Sequence, residues 1–280
     1  MDIREFQRVI YSHYDEAGRA FPWREETAGP WGVFVSEFML QQTQTERVIP
    51  YWKRWMDRWP RPADLAAASL EMVLREWSGL GYNRRARYLW ECAGIIAGKF
   101  GGVVPGAPES LLPLPGIGPY TAGAVACFAY NYPAVFIETN IRAAIIHFFF
   151  HAGERREPVD DRDLFPILKA SLDSRNPRKW YWALMDYGAA LKKITANPNR
   201  ASIHYVKQSP FAGSFRQLRG ALVKALVSQG PGSAGELLRR IDGLPGLERD
   251  GLYKALKSLE KDFIVAEQGG VYRIGGGGVV

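Results

Sequence analysis

Two carboxylates stand out by their surroundings. Glu37 lies in VFVSEFML, where nearly every neighbour is apolar. A carboxylate on such a helix face is costly unless it is paired or functional. Burial raises the pKa of such a group and makes it a proton donor usable near neutral pH. The alternative is a partly exposed glutamate on a polar stripe with Ser36 and Gln41. Glu138 ends the apolar run AVFIE, just before a helix that starts near Asn140. It is either a carboxylate favoured at a helix N-terminus or a negative charge set to face a developing cation.

A third element offers backbone rather than side chains. In LPGIGPYTAGAV (residues 114–125), Gly116 and Gly118 flank Ile117, Pro119 follows, and small residues continue. PESLLP supplies a short helix before it, so residues 108–130 read as a helix-hairpin-helix. Proline at a first-turn position loses no needed N–H. The two glycines permit positive φ and close backbone approach. The turn's N–H groups and the next helix N-terminus then converge on one anion, such as a DNA phosphate. An ordinary αα-corner is the plainer alternative.

These residues must be held by the chain around them. Periodic apolar segments recur near 3–17, 31–58, 64–77, 84–99, 108–113, 119–130, 140–151, 162–173 and 179–193, with Pro, Gly and Asn-Pro breakers between them. The pattern predicts an all-α domain over 1–200 and a linker over 201–214. Over 215–275 three helices precede FIVAEQGGVYRI, a hairpin signal at Gly269-Gly270. Ser233 and Glu236 form a capping-box pattern at the second of these helices. That order is winged-helix-like, and residues 276–280 read as a disordered tail.

Net charge is +7 over 280 residues, and 47% of them are hydrophobic, which excludes global disorder. Residues 200–280 carry 12 Lys/Arg against 7 Asp/Glu, so the C-terminal third holds most of the positive field. A polyanion partner suits that distribution. No apolar run approaches the roughly 20 residues a bilayer span needs. The N-terminus shows no signal-peptide core, which predicts a cytoplasmic protein. The two cysteines, Cys92 and Cys127, sit in apolar helical stretches and read as buried hydrophobes. His147 and His151 flank FFF without an acidic partner, so no metal site is expected.

Several strings together carry a family resemblance. FPWR (21–24), WGVFVSEFMLQQTQ (31–44), WSGLGYNRRARYL (77–89), LPGIGPYTAGAV and LMDYGA (184–189) resemble, in order, the helix-hairpin-helix (HhH-GPD) base-excision DNA glycosylases of the adenine branch. The likeness covers about residues 5–195. It implies a mainly α, two-lobed helix-hairpin-helix DNA glycosylase fold, here with a C-terminal winged-helix-like domain. By the same resemblance Glu37 protonates the departing base and Glu138 stabilises the sugar cation, since glycosidic cleavage builds oxocarbenium character. Gln41, Gln42 and Tyr82 match residues that enter the DNA stack around an extruded nucleotide. Tyr120 and Asn140 fall beside the base pocket. Gly116, Gly118, Arg84, Arg85, Arg87 and Arg142 are the expected phosphate contacts.

Four departures qualify the likeness. The family's aspartate is Glu138 here, one methylene longer. Bifunctional relatives carry a lysine where Tyr120 stands, which implies a monofunctional, hydrolytic enzyme. LKKITANPNRAS replaces the cluster-binding cysteines after LMDYGA, so no iron–sulfur cluster is expected, with a monovalent cation at the hairpin left open. Lys192 and Lys193 within it read as a solvated helix face. The winged-helix-like segment replaces a β-rich module that reads 8-oxoguanine, so the opposite base is not fixed. Uracil, thymine, hypoxanthine or a modified base stay open as the excised base. The implied partner is duplex DNA with a mismatched or damaged base, bound by a nucleoid-associated monomer. A non-catalytic winged-helix regulator is the competing class.

Overall fold

The computed structural model describes residues 2–150, 158–207, 210–244 and 249–275. The expected tail (276–280), His151 and part of the expected linker lie outside them. The chain divides into two compact units, each assembled from separate stretches. This division differs from the four consecutive segments that the sequence suggests, because residues 208–280 group with 34–104.

The first unit comprises residues 1–33, 105–113 and 117–207. It contains α1 (Ile3–Ala17), the start of α2 (Gly29–Leu40), α7 (Pro108–Leu111), α8 (Pro119–Tyr130), α9 (Thr139–Phe149), α10 (Asp161–Ser171) and α11 (Pro177–Ile194). Asp2 caps α1 by accepting from the Glu5 backbone N–H at 2.8 Å. The apolar face of α1 drives Phe6 and Ile10 fully into the core against Trp180 and Ile145. Each such side chain stabilises the fold by about 1.5–3 kcal/mol. In α8, Thr121 through Phe128 are all buried, and no charged residue interrupts the helix. The extended stretch after it lays Phe136 on Tyr181, rings stacked 4.0 Å apart, and the Tyr181 hydroxyl donates to the Ala134 carbonyl at 3.0 Å.

One glycine sets the approach of α11 to α9. A Cβ at Gly188 would stand 2.0 Å from the Asn140 carbonyl oxygen, so no other residue permits this contact without moving backbone. Two residues earlier, Asp186 is 2% exposed and closes a clamp. It accepts from the Arg19 N–H and Nε at 2.8 Å each, and from Arg24 Nη1 and Nη2 at 2.9 and 2.8 Å. Burial alone would push its pKa up, but the Arg24 and Arg19 groups outweigh burial and hold the carboxyl below its ordinary value.

The second unit comprises residues 34–104, 114–116 and 208–280. It contains the rest of α2, then α3 (Thr45–Arg58), α4 (Pro62–Ala66), α5 (Leu70–Trp77) and α6 (Arg84–Lys99). It also holds α12 (Phe215–Gln229), β1 (Gly232–Ser233), α13 (Ala234–Arg240), α14 (Arg249–Lys261), β2 (Val265–Gln268) and β3 (Val271–Ile274). The apolar stretch 31–58 is not one helix: the chain turns at Gln42, whose φ is 56°, and restarts as α3. Likewise 64–77 breaks at Ser69, which caps α5 through the Met72 N–H. Trp55 and Trp77 meet edge to face at 5.2 Å inside this unit. The C-terminal stretch has the winged-helix order, with an antiparallel sheet β1-β3-β2 and the hairpin turn at Gly269-Gly270. The Ser233–Glu236 capping box is present. Arg75 on α5 donates to the Val227 carbonyl of α12 at 3.1 Å.

Candidate active site

In the second unit, Glu37 is 5% exposed, among Phe34, Phe38 and Met39, each 0% exposed. The partly exposed polar stripe is therefore not its environment, and Ser36 is buried too. A carboxylate so placed sits where water contributes little. What fixes the end of α2 that carries it is Arg85. Its Nη1 donates to the carbonyls of Phe38 (3.0 Å), Met39 (2.8 Å) and Gln41, and its Nη2 to Thr43 Oγ1 (3.0 Å) and the Gly81 carbonyl (3.1 Å). A guanidinium thus satisfies the orphan carbonyls of a helix C-terminus. Burial pulls its pKa down to about 10.

This corrects the expectation that Arg85 grips a phosphate: the residue is 6% exposed, and Nη1 and Nη2 donate inside the protein. Arg87 departs from expectation as well. It donates to the Asp262 carbonyl at 2.7 Å, pairs with Glu91 and lies over the Phe263 ring. Arg84 is different, with a side chain 56% exposed and 3.5 Å from Asp262. It keeps donors turned to solvent, where a phosphate could reach them.

Gln41, Gln42, Tyr82, Arg84 and Gly116 do come together. With Arg216 of α12 they line one cleft of about 290 Å³. Tyr82 and Gln42 both hold left-handed backbone, at φ 51° and 56°, which is uncommon outside glycine. The Tyr82 hydroxyl accepts from Arg216 Nη1 at 2.5 Å. Gly116 has φ +73°, and a Cβ there would be 2.4 Å from the Tyr88 ring. Gly118 corrects the expectation of a second positive φ: it is an extended N-cap at φ −99°. Its lack of a side chain instead leaves the N-terminus of α8 open, with nothing within 4 Å of where a Cβ would stand.

In the first unit, Glu138 folds back on its own helix. Its Oε1 accepts from the backbone N–H of Asn140 and Ile141 at 2.7 and 2.8 Å, and so caps α9. Its Oε2 accepts from Thr139 Oγ1 at 3.1 Å and Asn140 Nδ2 at 3.2 Å. The geometry is that of the first reading: the carboxylate is a cap and places its charge at the head of α9. Asn140 is half-buried; its Oδ1 accepts from Lys192 Nζ at 2.8 Å. Tyr120 is half-buried, edge-on to Phe136 at 5.8 Å.

Two expectations fail here. Arg142 is 9% exposed and paired with Asp161 through Nε and Nη2 at 2.7 and 2.8 Å, so it does not reach for phosphate. Lys192 is not on a solvated face. It is half-buried, and burial lowers its pKa against an opposing effect from Glu138. Lys193 is exposed, as expected. A spacing signal for Lys192 exists: it is one helical turn beyond Gly188, on the face that meets Asn140. Asp186 lay within a recognised string without a role. Nothing in the sequence singled out Arg216.

Among the described residues no cluster of His, Cys, Asp and Glu could hold a metal ion. Cys92 and Cys127 are both buried, and Cys92 donates to the Pro115 carbonyl at 3.3 Å. Among the described residues no helix is long and apolar enough to cross a membrane.

Comparison with known proteins agrees with these features. A family model described as HhH-GPD superfamily base excision DNA repair protein matches residues 35–162. The adenine DNA glycosylase of Mycolicibacterium smegmatis is 39% identical over 234 residues, 78% of either chain. That of Homo sapiens is 34% identical over 198 residues, 68% of this chain and 36% of the human one. Among solved structures, a thermostable thymine-DNA glycosylase aligns with a TM-score of 0.63 at 23% identity, covering 71% of this chain and 91% of that one. That last likeness is one of fold.

Proposed function

This chain belongs to the HhH-GPD superfamily of base excision DNA repair proteins and is a DNA glycosylase, and from that premise we propose that it is a monofunctional, adenine-type enzyme. Its substrate is duplex DNA in which a mispaired or damaged base is swung out of the stack. Glu37 gives its proton to a ring nitrogen of the purine, N7 in this reading. The C1′–N9 bond then breaks with its electron pair on the base. Glu138 stabilises the oxocarbenium character left on the sugar. Water adds at C1′ and loses a proton, leaving an abasic site. No amine stands at Tyr120, so hydrolysis rather than Schiff-base chemistry completes the reaction.

The observation that carries this is the burial of Glu37 in an otherwise apolar helix face, at 5% exposure. A carboxyl group kept away from water in this way is suited to proton transfer, which is the role given to it here. The adenine preference rests on relatives named adenine DNA glycosylases at 39% and 37% identity. An iron–sulfur cluster does not fit: the whole chain has two cysteines, and a cluster normally takes four thiolates. In this reading no iron–sulfur cluster takes part, and a monovalent cation at the hairpin stays open. The enzyme acts as a monomer on nucleoid DNA, with Gly116, Gly118 and Arg84 on phosphates and Gln41, Gln42 and Tyr82 at the emptied stack.

The test is a panel of duplexes, each carrying one lesion or mismatch, incubated with the protein and then cleaved with alkali. Strand breaks opposite a defined base, lost in Glu37→Gln, support the enzyme. Silence across the panel together with tight sequence-specific binding would establish the winged-helix regulator instead.

A further inference from the structure

Lys192 has no part in the chemistry above, yet it is bonded to Asn140, which with Thr139 holds Oε2 of Glu138. From Lys192 Nζ a 2.8 Å bond leads to Asn140 Oδ1, and from Asn140 Nδ2 a 3.2 Å bond leads to Glu138 Oε2. The other carboxylate oxygen is already fixed by two backbone N–H groups at 2.7 and 2.8 Å. A side-chain amide has two faces of opposite polarity, and alone it could sit either way round. An ammonium on one side and a carboxylate on the other admit a single orientation. The flipped amide would set NH₂ against NH₃⁺ and C=O against carboxylate.

The surrounding groups make Lys192 the one that acts on Asn140. Arg142, the neighbouring cation, is committed to Asp161 at 2.7 Å. Asn199 Nδ2 donates to the Thr139 carbonyl at 2.5 Å, which holds the backbone and not the Asn140 amide. Gly188, one turn before Lys192, brings α11 into backbone contact with Asn140, so the lysine stem is led past that side chain. Burial disfavours its charge while Glu138 favours it and Arg142 opposes it, which places the ammonium in the field of that carboxylate.

We propose that Lys192 is a positioning residue: it locks the Asn140 amide and, through it, Oε2 of Glu138, the carboxylate given the sugar cation above. This rests on the function proposed above and adds a residue to it.

The experiment measures single-turnover excision, with enzyme saturating over DNA, for Lys192→Met, Asn140→Ala and the double variant. Lys193→Met serves as the control for loss of one nearby charge. Lys192→Met should slow excision about tenfold or more, as expected when a reacting group is displaced, with duplex affinity changed less than about twofold. In the Asn140→Ala background the same change should cost less than about twofold, because the relay is already broken. Lys193→Met should match wild type. Lys192→Leu, which likewise removes the ammonium donor, serves for the same cycle if the methionine variant does not fold. The proposal is overturned if the two effects multiply fully, or if Lys192→Met weakens binding and leaves the saturated rate intact. It is also overturned if borohydride traps a protein–DNA adduct that needs Lys192, which would make the lysine a nucleophile. An inactive wild type sinks the glycosylase assignment itself; an active wild type beside an unimpaired Lys192→Met sinks the lysine's role alone.

Discussion

Replacing Glu138 separates its two jobs. Glutamine is isosteric and keeps an acceptor for the Asn140 and Ile141 N–H groups, now held at 2.7 and 2.8 Å by Oε1. What it removes is the negative charge at the head of α9, worth about 0.3–1 kcal/mol of stability at a helix N-terminus. Alanine removes the cap as well, at a cost of about 0.5–2 kcal/mol. On the rate the order is different. If the carboxylate stabilises the sugar cation, losing its charge costs about 10²–10³-fold, as for other preorganised electrostatic groups. Glu138→Gln should therefore unfold within about 1 kcal/mol of wild type and yet excise at least about 100-fold more slowly. Glu138→Ala should be no faster and less stable. Urea unfolding reports the first quantity and quenched single-turnover excision the second. A Glu138→Gln enzyme that excises at near wild-type rate would refute the assignment and leave Glu138 a helix cap and nothing more.

Three further outcomes follow from the geometry. Asp186→Asn leaves the buried Arg24 without its counter-ion, and breaking such a pair costs about 3–5 kcal/mol. Because the folded carboxyl titrates below its unfolded value, the deficit should be full near pH 7 and shrink as pH falls through the folded pKa; chemical denaturation at several pH values tests this. Gly188→Ala forces a methyl to within 2.0 Å of the Asn140 carbonyl oxygen. It should cost about 1–3 kcal/mol in melting experiments and slow excision more than stability alone explains, since α9 carries both Glu138 and Asn140. Affinity for undamaged duplex, measured by fluorescence anisotropy, should fall steeply with salt as phosphate contacts release counterions; a flat response would remove the DNA role.

The helical character of residues 1–200, the hairpin string and the order of the C-terminal elements were legible because each has a local signature: period, proline, glycine, capping box. Breaks at Gln42 and Ser69 were passed over although the polar run QQTQTER (41–47) and an N-cap residue type at Ser69 mark them, because the apolar residues on either side share a helical period. The carboxylates could be singled out by their apolar surroundings. The arginines could not be sorted. Arg85 and Arg142 look like Arg84 in sequence, and what separates them is the carbonyls and Asp161 supplied by remote stretches. Lys192 was misread for the same reason, since its partner Asn140 lies 52 residues away.

The two compact units are interleaved along the polypeptide, and this has a bearing on biosynthesis. Asp186 lies 167 residues after Arg19, and the stretch 34–104 groups with one that begins at 208. As the ribosome delivers residues from the N-terminus, α1 emerges long before its anchoring carboxylate, and the tryptophan-rich helices wait for α12. The first half therefore waits for residues up to 207, and the second for the C-terminal stretch. Nascent chains halted near residue 150 should hold apolar faces uncovered and bind chaperones, whereas release of the whole polypeptide should let each half complete its own core.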